Sequence, residues 1–135
     1  MKAQDIMTHD VIMVEENLSV AEAIDKMVAK KVSSLIVDRL GENDSYGIVT
    51  RRDVVNKVIA TGQDPLKVTL AEIMTKPVLT IYPTLPIRHI ARLMVQTGLR
   101  RIPVFDGHQI IGIVSNSDVF RGFSKFLHNE TEYLD

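Results

Sequence analysis

Two seven-residue stretches carry residue types that could do chemistry at a fixed spacing. They are Gly47-Ile48-Val49-Thr50-Arg51-Arg52-Asp53 and Gly112-Ile113-Val114-Ser115-Asn116-Ser117-Asp118. In both, a glycine opens an apolar β-branched run, a hydroxyl residue closes it, and an acid follows three residues later. The glycine lets backbone or ligand approach closely. A hydroxyl at the start of a helix lies beside free backbone N–H groups and the positive end of the helix dipole, a place that holds phosphate. The carboxylate repels phosphate and suits the two neighbouring hydroxyls of a ribose. The same spacing is also that of a capping box with Asp in the place of Glu, which serves only the helix. The two roles are compatible, and the duplication of the pattern after a Gly-Ile-Val run weights it toward binding.

The elements that must position these residues are also written twice. Asp5-Ile6-Met7-Thr8 returns as Glu72-Ile73-Met74-Thr75, and Val11, Leu18, Met27, Val28 and Val37 return as Val78, Leu85, Met94, Val95 and Val104 at one offset. The offset then shortens by two at Gly47/Gly112, a change absorbed by the loop Gly41-Glu42-Asn43-Asp44-Ser45. Each copy predicts β-α-β-β-α. Val11–Val14 and Val78–Ile81 are short, β-branched runs that read as strands. Ser19 with Glu22 caps a helix whose apolar positions are Val20, Ile24, Met27 and Val28. In the second copy Pro86 suits the first turn, Ile87, Ile90, Ala91, Met94 and Val95 form the apolar face, and Gly98 ends the helix. Strands follow at 34–38 and 46–50, and at 102–105 and 109–115, the latter pair joined by Asp106-Gly107. A closing helix starts at Thr50 or Ser115. The fold class is therefore α/β (α+β), with repeats at 1–62 and 72–127, a linker at 63–71 and an acidic tail at 128–135. One such unit has too little core to stand well alone, and two packed sheet to sheet about a pseudo-twofold axis would share one.

Composition removes several classes of function. No cysteine is present, which excludes disulfides, thiolate metal sites and a cysteine nucleophile. His9, His89, His108 and His128 lack metal-ligand spacing, and no metal is expected. No serine or aspartate has a histidine partner at a recognisable catalytic spacing, so the chain reads as a non-enzyme without a catalytic cofactor. The formal net charge of −1 offers no global field for nucleic acid or an anionic membrane, and Lys30-Lys31 and Arg51-Arg52 stand without aromatic neighbours. The N-terminus lacks the apolar core of a signal peptide, and no apolar run approaches the roughly 20 residues of a membrane span, so a cytoplasmic location is expected. Phe120, Phe123, Phe126 and Leu127 make the last helix unusually apolar, consistent with either intramolecular core or a contact with another chain.

The Ile-Met-Thr segments, the amphipathic helix, Leu99-Arg100-Arg101-Ile102-Pro103-Val104 and the Gly-hydrophobic-Val-Thr/Ser-x-x-Asp endings together resemble the CBS domain, the repeat first named from cystathionine β-synthase. Two in tandem are similar to a CBS pair, or Bateman module, and the resemblance runs from Asp5 to about Phe123. It implies a homodimer, an effector protein as partner, and clefts for adenosine-containing ligands such as AMP, ADP, ATP or S-adenosylmethionine. Carried over by position, it implies a first cleft of Ile48, Thr50, Arg52 and Asp53 walled by Met74, Leu79, Leu99, Arg100 and Arg101. The second would use Ile113, Ser115, Ser117 and Asp118, walled by Met7, Ile12, Val32 and Ser33. Asp53 and Asp118 would meet ribose, and Thr50 and Ser115 phosphate. If Arg52, Arg100 and Arg101 gather in the first cleft, their paired charge-assisted hydrogen bonds favour the more highly phosphorylated ligand there. Two departures stand out: Ile36 where the second copy has Pro103, and Lys31 where it has Gly98. Two functions remain open, an adenosine-ligand sensor and a dimeric scaffold that holds no ligand. The response of ligand binding to changes at Asp53 and Asp118 separates them.

Overall fold

Both copies fold into small sheets flanked by helices, and the manner in which they share their segments decides where the site residues lie. The structure is a computed structural model that describes residues 1–128; the tail expected at 128–135 lies outside the described residues beyond His128. The elements are α1 (Ala3–Ile6), β1 (Met13–Val14), α2 (Val20–Lys30), β2 (Ser34–Val37), β3 (Gly47–Thr50), α3 (Arg51–Val54), α4 (Leu70–Ile73), α5 (Ile87–Thr97), β4 (Arg101–Phe105), β5 (Ile110–Ser115) and α6 (Asn116–Leu127). One compact unit is Ile12–Val78, and the other combines Met1–Val11 with the chain from Leu79 on. Each unit therefore holds the body of one repeat and the Ile-Met-Thr segment of the other.

In the Ile12–Val78 unit, β1 pairs parallel with β2, and β2 pairs antiparallel with β3 through Ser34↔Thr50 to Val37↔Gly47. Thr75 then adds to the free edge of β3, exchanging hydrogen bonds of 3.0 Å in both directions with Ile48. The core gathers Val20, Ala23 and Met27 of α2, Leu35, Val37 and Val49 of the sheet, Val54 and Val58, and Leu70 and Ile73 of α4. In the other unit β4 pairs antiparallel with β5, and Thr8 adds to Ile113 as Thr75 adds to Ile48. Its core is Ala3, Ile81, Ile90, Met94, Ile102, Val104 and Val114.

Three expectations are corrected. The strand expected at Val78–Ile81 shrinks to one parallel bridge, Ile81↔Val104. Its counterpart β1 is held by the N–H of Ile36 donating to Ile12 at 2.9 Å and that of Asp38 donating to Val14 at 2.7 Å. At the equivalent of Ile36 stands Pro103, which has no N–H to offer, so the contact is reduced to Ile81, whose N–H donates to the Pro103 carbonyl at 3.0 Å and whose carbonyl accepts from Phe105 at 2.8 Å. Val28 and Val95, assigned to apolar helix faces, are 72% and 84% exposed. Each lies one residue, or 100° of helix, beyond its core-facing neighbour, Met27 or Met94. The closing helix of the first copy is α-helical only to Val54; Val55–Ile59 is π-helical, with the Ala60 N–H donating to Val55. Lys31, by contrast, adopts the left-handed conformation of Gly98, with φ 55° against 73°. In the last helix Phe120 and Leu127 are exposed at 77% and 64%, so neither is intramolecular core in this unit.

The added strand residues come so close that the facing position must lack a side chain. A Cβ on Gly112 would lie 2.5 Å from Met7 Sδ and 2.9 Å from the Thr8 carbonyl oxygen. On Gly47 it would lie 3.1 Å from Met74 Sδ and 3.2 Å from the Thr75 carbonyl oxygen. The glycines thus admit the chain itself. Gly112→Ala is expected to destabilise by about 1–3 kcal/mol, several degrees in Tm, and Gly47→Ala by clearly less. Thermal unfolding followed by circular dichroism checks this; equal losses at the two positions would mean that the Met7–Thr8 backbone shifts freely.

Candidate functional site

Each candidate site is a strand end that turns directly into a helix. Thr50 closes β3 with extended backbone and caps α3: its Oγ accepts from the Asp53 N–H at 3.2 Å, while Asp53 Oδ2 accepts from the Thr50 N–H at 2.9 Å and the Thr50 hydroxyl at 3.0 Å. Ser115 does the same for α6, accepting from the Asp118 N–H at 3.1 Å, with Asp118 Oδ2 accepting from the Ser115 N–H at 2.8 Å. Both capping boxes are therefore complete. A third, at Thr69 and Glu72, opens α4 and went unread in the sequence.

The second carboxylate oxygen distinguishes the two sites. Asp53 Oδ1 lies 3.3 Å from Lys57 Nζ, which also donates to the Ile73 carbonyl at 2.8 Å. One ammonium thus ties the cap to the end of α4, immediately before Met74. Asp118 Oδ1 is held by the guanidinium of Arg121. The Asp53 side chain keeps 17% of its surface exposed and that of Asp118 only 3%. Asp118 is the one buried charged residue among those described. Neither Lys57 nor Arg121 was singled out in the sequence, although their i+4 and i+3 spacing from the acids is the signal that finds them.

The other predicted residues divide by unit. Thr50, Arg52 and Asp53 share the Ile12–Val78 unit with Ile48, Met74, Ile12, Val32 and Ser33, and the Ser33 carbonyl accepts from the Arg51 N–H at 2.9 Å. Ser115, Ser117 and Asp118 share the other unit with Ile113, Met7, Leu79, Leu99, Arg100 and Arg101. There Arg101 pairs with Ser115 across the sheet, and the Arg100 carbonyl accepts from the Asn116 N–H at 2.8 Å. Ile48 is buried, whereas Arg52, Arg100 and Ser117 are exposed.

An ionic cluster fixes the segment that follows Met74. Lys76 Nζ lies 2.7 Å from Asp44 and 3.5 Å from Glu16, joining the 41–45 loop to the strand-edge segment at Thr75. The hydrogen bond from Lys76, reinforced by the Leu40 N–H, holds the Asp44 carboxyl at about 2 against its ordinary 3.8, and Asp44 in turn raises Lys76. In the Asp106 turn, the N–H groups of Gln109 and His108 hold that carboxyl below the usual carboxylate range. Among the described residues no group of His, Asp and Glu is arranged to hold a metal ion, and no helix is long and apolar enough to cross a membrane.

Comparison with known proteins follows the repeat. The sequence model of the CBS domain matches residues 3–60 and again 70–125. An uncharacterised protein of Methanopyrus kandleri is 32% identical over 119 residues, which is 87% of this chain and 60% of that protein. The hexameric CBS-CP12 protein from bloom-forming cyanobacteria is 41% identical, with a TM-score of 0.89 over 98% of this chain and 77% of that one. A CBS domain pair solved in complex with 5′-methylthioadenosine and S-adenosyl-L-methionine is 28% identical, with a TM-score of 0.79 over 93% of this chain and 97% of that one.

Because Asp44 has a depressed pKa, its contribution to stability is present above its ordinary value and is lost as pH falls through the folded value. The Tm advantage of the wild type over Lys76→Met should therefore be full at pH 7 and shrink between about pH 4 and 2. An advantage that stays constant across that range, measured by thermal melts at stepped pH, would remove the ion pair as the clamp on this segment.

Proposed function

Since the chain belongs to the CBS domain family and carries the domain twice, we propose that it is a regulatory module which binds an adenosine-containing ligand, one of AMP, ADP, ATP or S-adenosylmethionine, and signals to an effector protein without chemistry of its own. The observation that carries this reading is the pair of strand-to-helix turns at Gly47–Asp53 and Gly112–Asp118, each presenting a capping hydroxyl and a carboxylate fixed in place. A related pair of the same fold holds methylthioadenosine and S-adenosylmethionine, both of which carry the ribose hydroxyls such a carboxylate suits. The stronger site is assigned to Thr50 and Asp53. The Asp53 carboxylate keeps an exposed edge, and its neighbour Arg52 is free to meet phosphate. Asp118 is buried against Arg121, so accepting a ribose there costs more rearrangement. Ligand binding would regulate by favouring one of two states of the module, and it can do so only through unequal affinity for them.

The apolar surface of the helices supports a homodimer. Val28, Val55 and Ile59 border a groove of about 500 Å³ in the Ile12–Val78 unit, and Val95, Phe120 and Phe123 are exposed in the other. Exposed apolar side chains of this size on helix faces are the kind of surface that association covers. It also favours the second reading, a dimeric scaffold that holds no ligand, since both carboxylates already have partners within the chain.

A thermal-shift titration with AMP, ADP, ATP and S-adenosylmethionine separates the two. A ligand at 100 times its Kd stabilises by about 2.7 kcal/mol, several degrees in Tm. The expected result is a shift with at least one ligand that Asp53→Ala abolishes and Asp118→Ala reduces less. No shift with any of them would leave the scaffold, and loss only in Asp118→Ala would reverse the ranking of the sites.

A further inference from the structure

A second groove, of about 450 Å³, runs along the flank of α5 in the other unit, between the helix and the turn before it. Its lining is Tyr82, Leu85, His89, Arg92, Leu93 and Gln96. Leu85 and Leu93 supply apolar surface, and Tyr82, His89 and Arg92 supply polar groups. The side chains of those three make no hydrogen bond, ion pair or ring contact among the described residues. An apolar trough with a few convergent, unpaired polar groups has the make-up of a binding site.

The first repeat provides an internal control. At the same offset it carries Glu15, Leu18, Glu22, Asp25, Lys26 and Ala29. The fold is thus satisfied by acids where the second repeat has Tyr82, His89 and Arg92, so the helix does not require those side chains there. α5 carries Arg88, His89 and Arg92 and no acid at all. The start of α5 is already covered by the chain's own residues 1–4, with the Met1 carbonyl accepting from Ile87 at 3.0 Å and the Leu85 carbonyl accepting from Ala3 at 2.9 Å, so the groove is what remains open further along the helix flank.

We infer that the α5 groove is a docking seat for an acidic, leucine-bearing, extended peptide segment of a partner protein. Its carboxylates would meet Arg92 and His89, where the guanidinium can give paired charge-assisted hydrogen bonds. An aliphatic side chain would lie on Leu85 and Leu93. From His89 to Gln96 the helix rises about 10 Å, room for roughly three residues of extended chain. The seat needs no nucleotide, so it stands apart from the adenosine reading.

The test is fluorescence anisotropy of a labelled heptapeptide of alternating leucine and glutamate, titrated with the full chain in the absence of nucleotide. Saturable binding is expected, weakened about tenfold or more by Arg92→Glu, less by Arg92→Lys, and falling as salt rises. An alternating leucine–lysine peptide should not bind, and amide signals of His89, Leu93 and Gln96 should shift on titration. Arg92 is exposed, so its substitution leaves the core intact. The proposal fails on any of four outcomes: no saturation, equal affinity in Arg92→Glu, signal changes confined to other residues, or displacement by free glutamate at the peptide's own concentration, which would make the groove a site for small carboxylates.

Discussion

Everything at the candidate sites rests on two missing side chains. Gly47 and Gly112 leave the room into which the Met74–Thr75 and Met7–Thr8 backbones settle, and the resulting strand-edge hydrogen bonds join each Ile-Met-Thr segment to a strand that ends in a capping hydroxyl. With that edge covered, Ile73 is buried in one core, and Ile6 and Met7 pack against the other. The carbonyl of Ile73 is then available to Lys57, and through it to Asp53. A methyl group at either glycine would disturb this chain of contacts at its first link, because a strand cannot pair with an edge that it cannot reach.

The two carboxylates show how one local geometry yields two electrostatic settings. Both are fixed by the same backbone capping bonds, so their position is set by the strand-to-helix turn itself. Their differences come from the residue placed one turn further along the helix. A lysine on a flexible stem, itself nearly half exposed, leaves Asp53 in contact with water. A guanidinium against a carboxylate with 3% exposure leaves Asp118 in an environment where the pair must remain intact or be replaced by an equally good partner. The second repeat lacks a lysine at the Lys57 position because Gly122 stands there, pressed against Ile6 and Ile87 of α1 and α5. Close helix packing was chosen at that point over a side chain that could brace the site.

Much of this was legible in the residues. The constant offset between Val11 and Val78, or Met27 and Met94, announced the duplication, and Thr50-x-x-Asp53 announced its own capping bonds. Asp106-Gly107 named its turn. The losses are equally specific. Pro103 was noted only as a departure between copies, yet its missing N–H accounts for the reduced strand at Ile81. Val28 and Val95 read as apolar-face residues because hydrophobicity records what a side chain is, whereas burial depends on 100° of helix rotation. The exchange of Ile-Met-Thr segments left no trace in spacing, since periodicity encodes the order of elements and not which strand edge receives them. The ion pairs of Lys76 with Asp44 and Glu16 join residues far apart in sequence and could be found only once the chain was folded.

The exchange also sets an order of events during synthesis. The Ile12–Val78 unit is one uninterrupted stretch, and Thr75 finds Ile48 after a modest loop. Thr8 must wait for Ile113, 105 residues later. That closure spans about four times as many residues and costs about 1 kcal/mol more in chain entropy. As the chain emerges from the ribosome, the internal unit is complete while the first eleven residues still lack the strand they will join. The Ile6–Thr8 segment is thus made well before the strand edge on which it docks. Until β4 and β5 exist, Ile6 and Met7 lack the core they pack against.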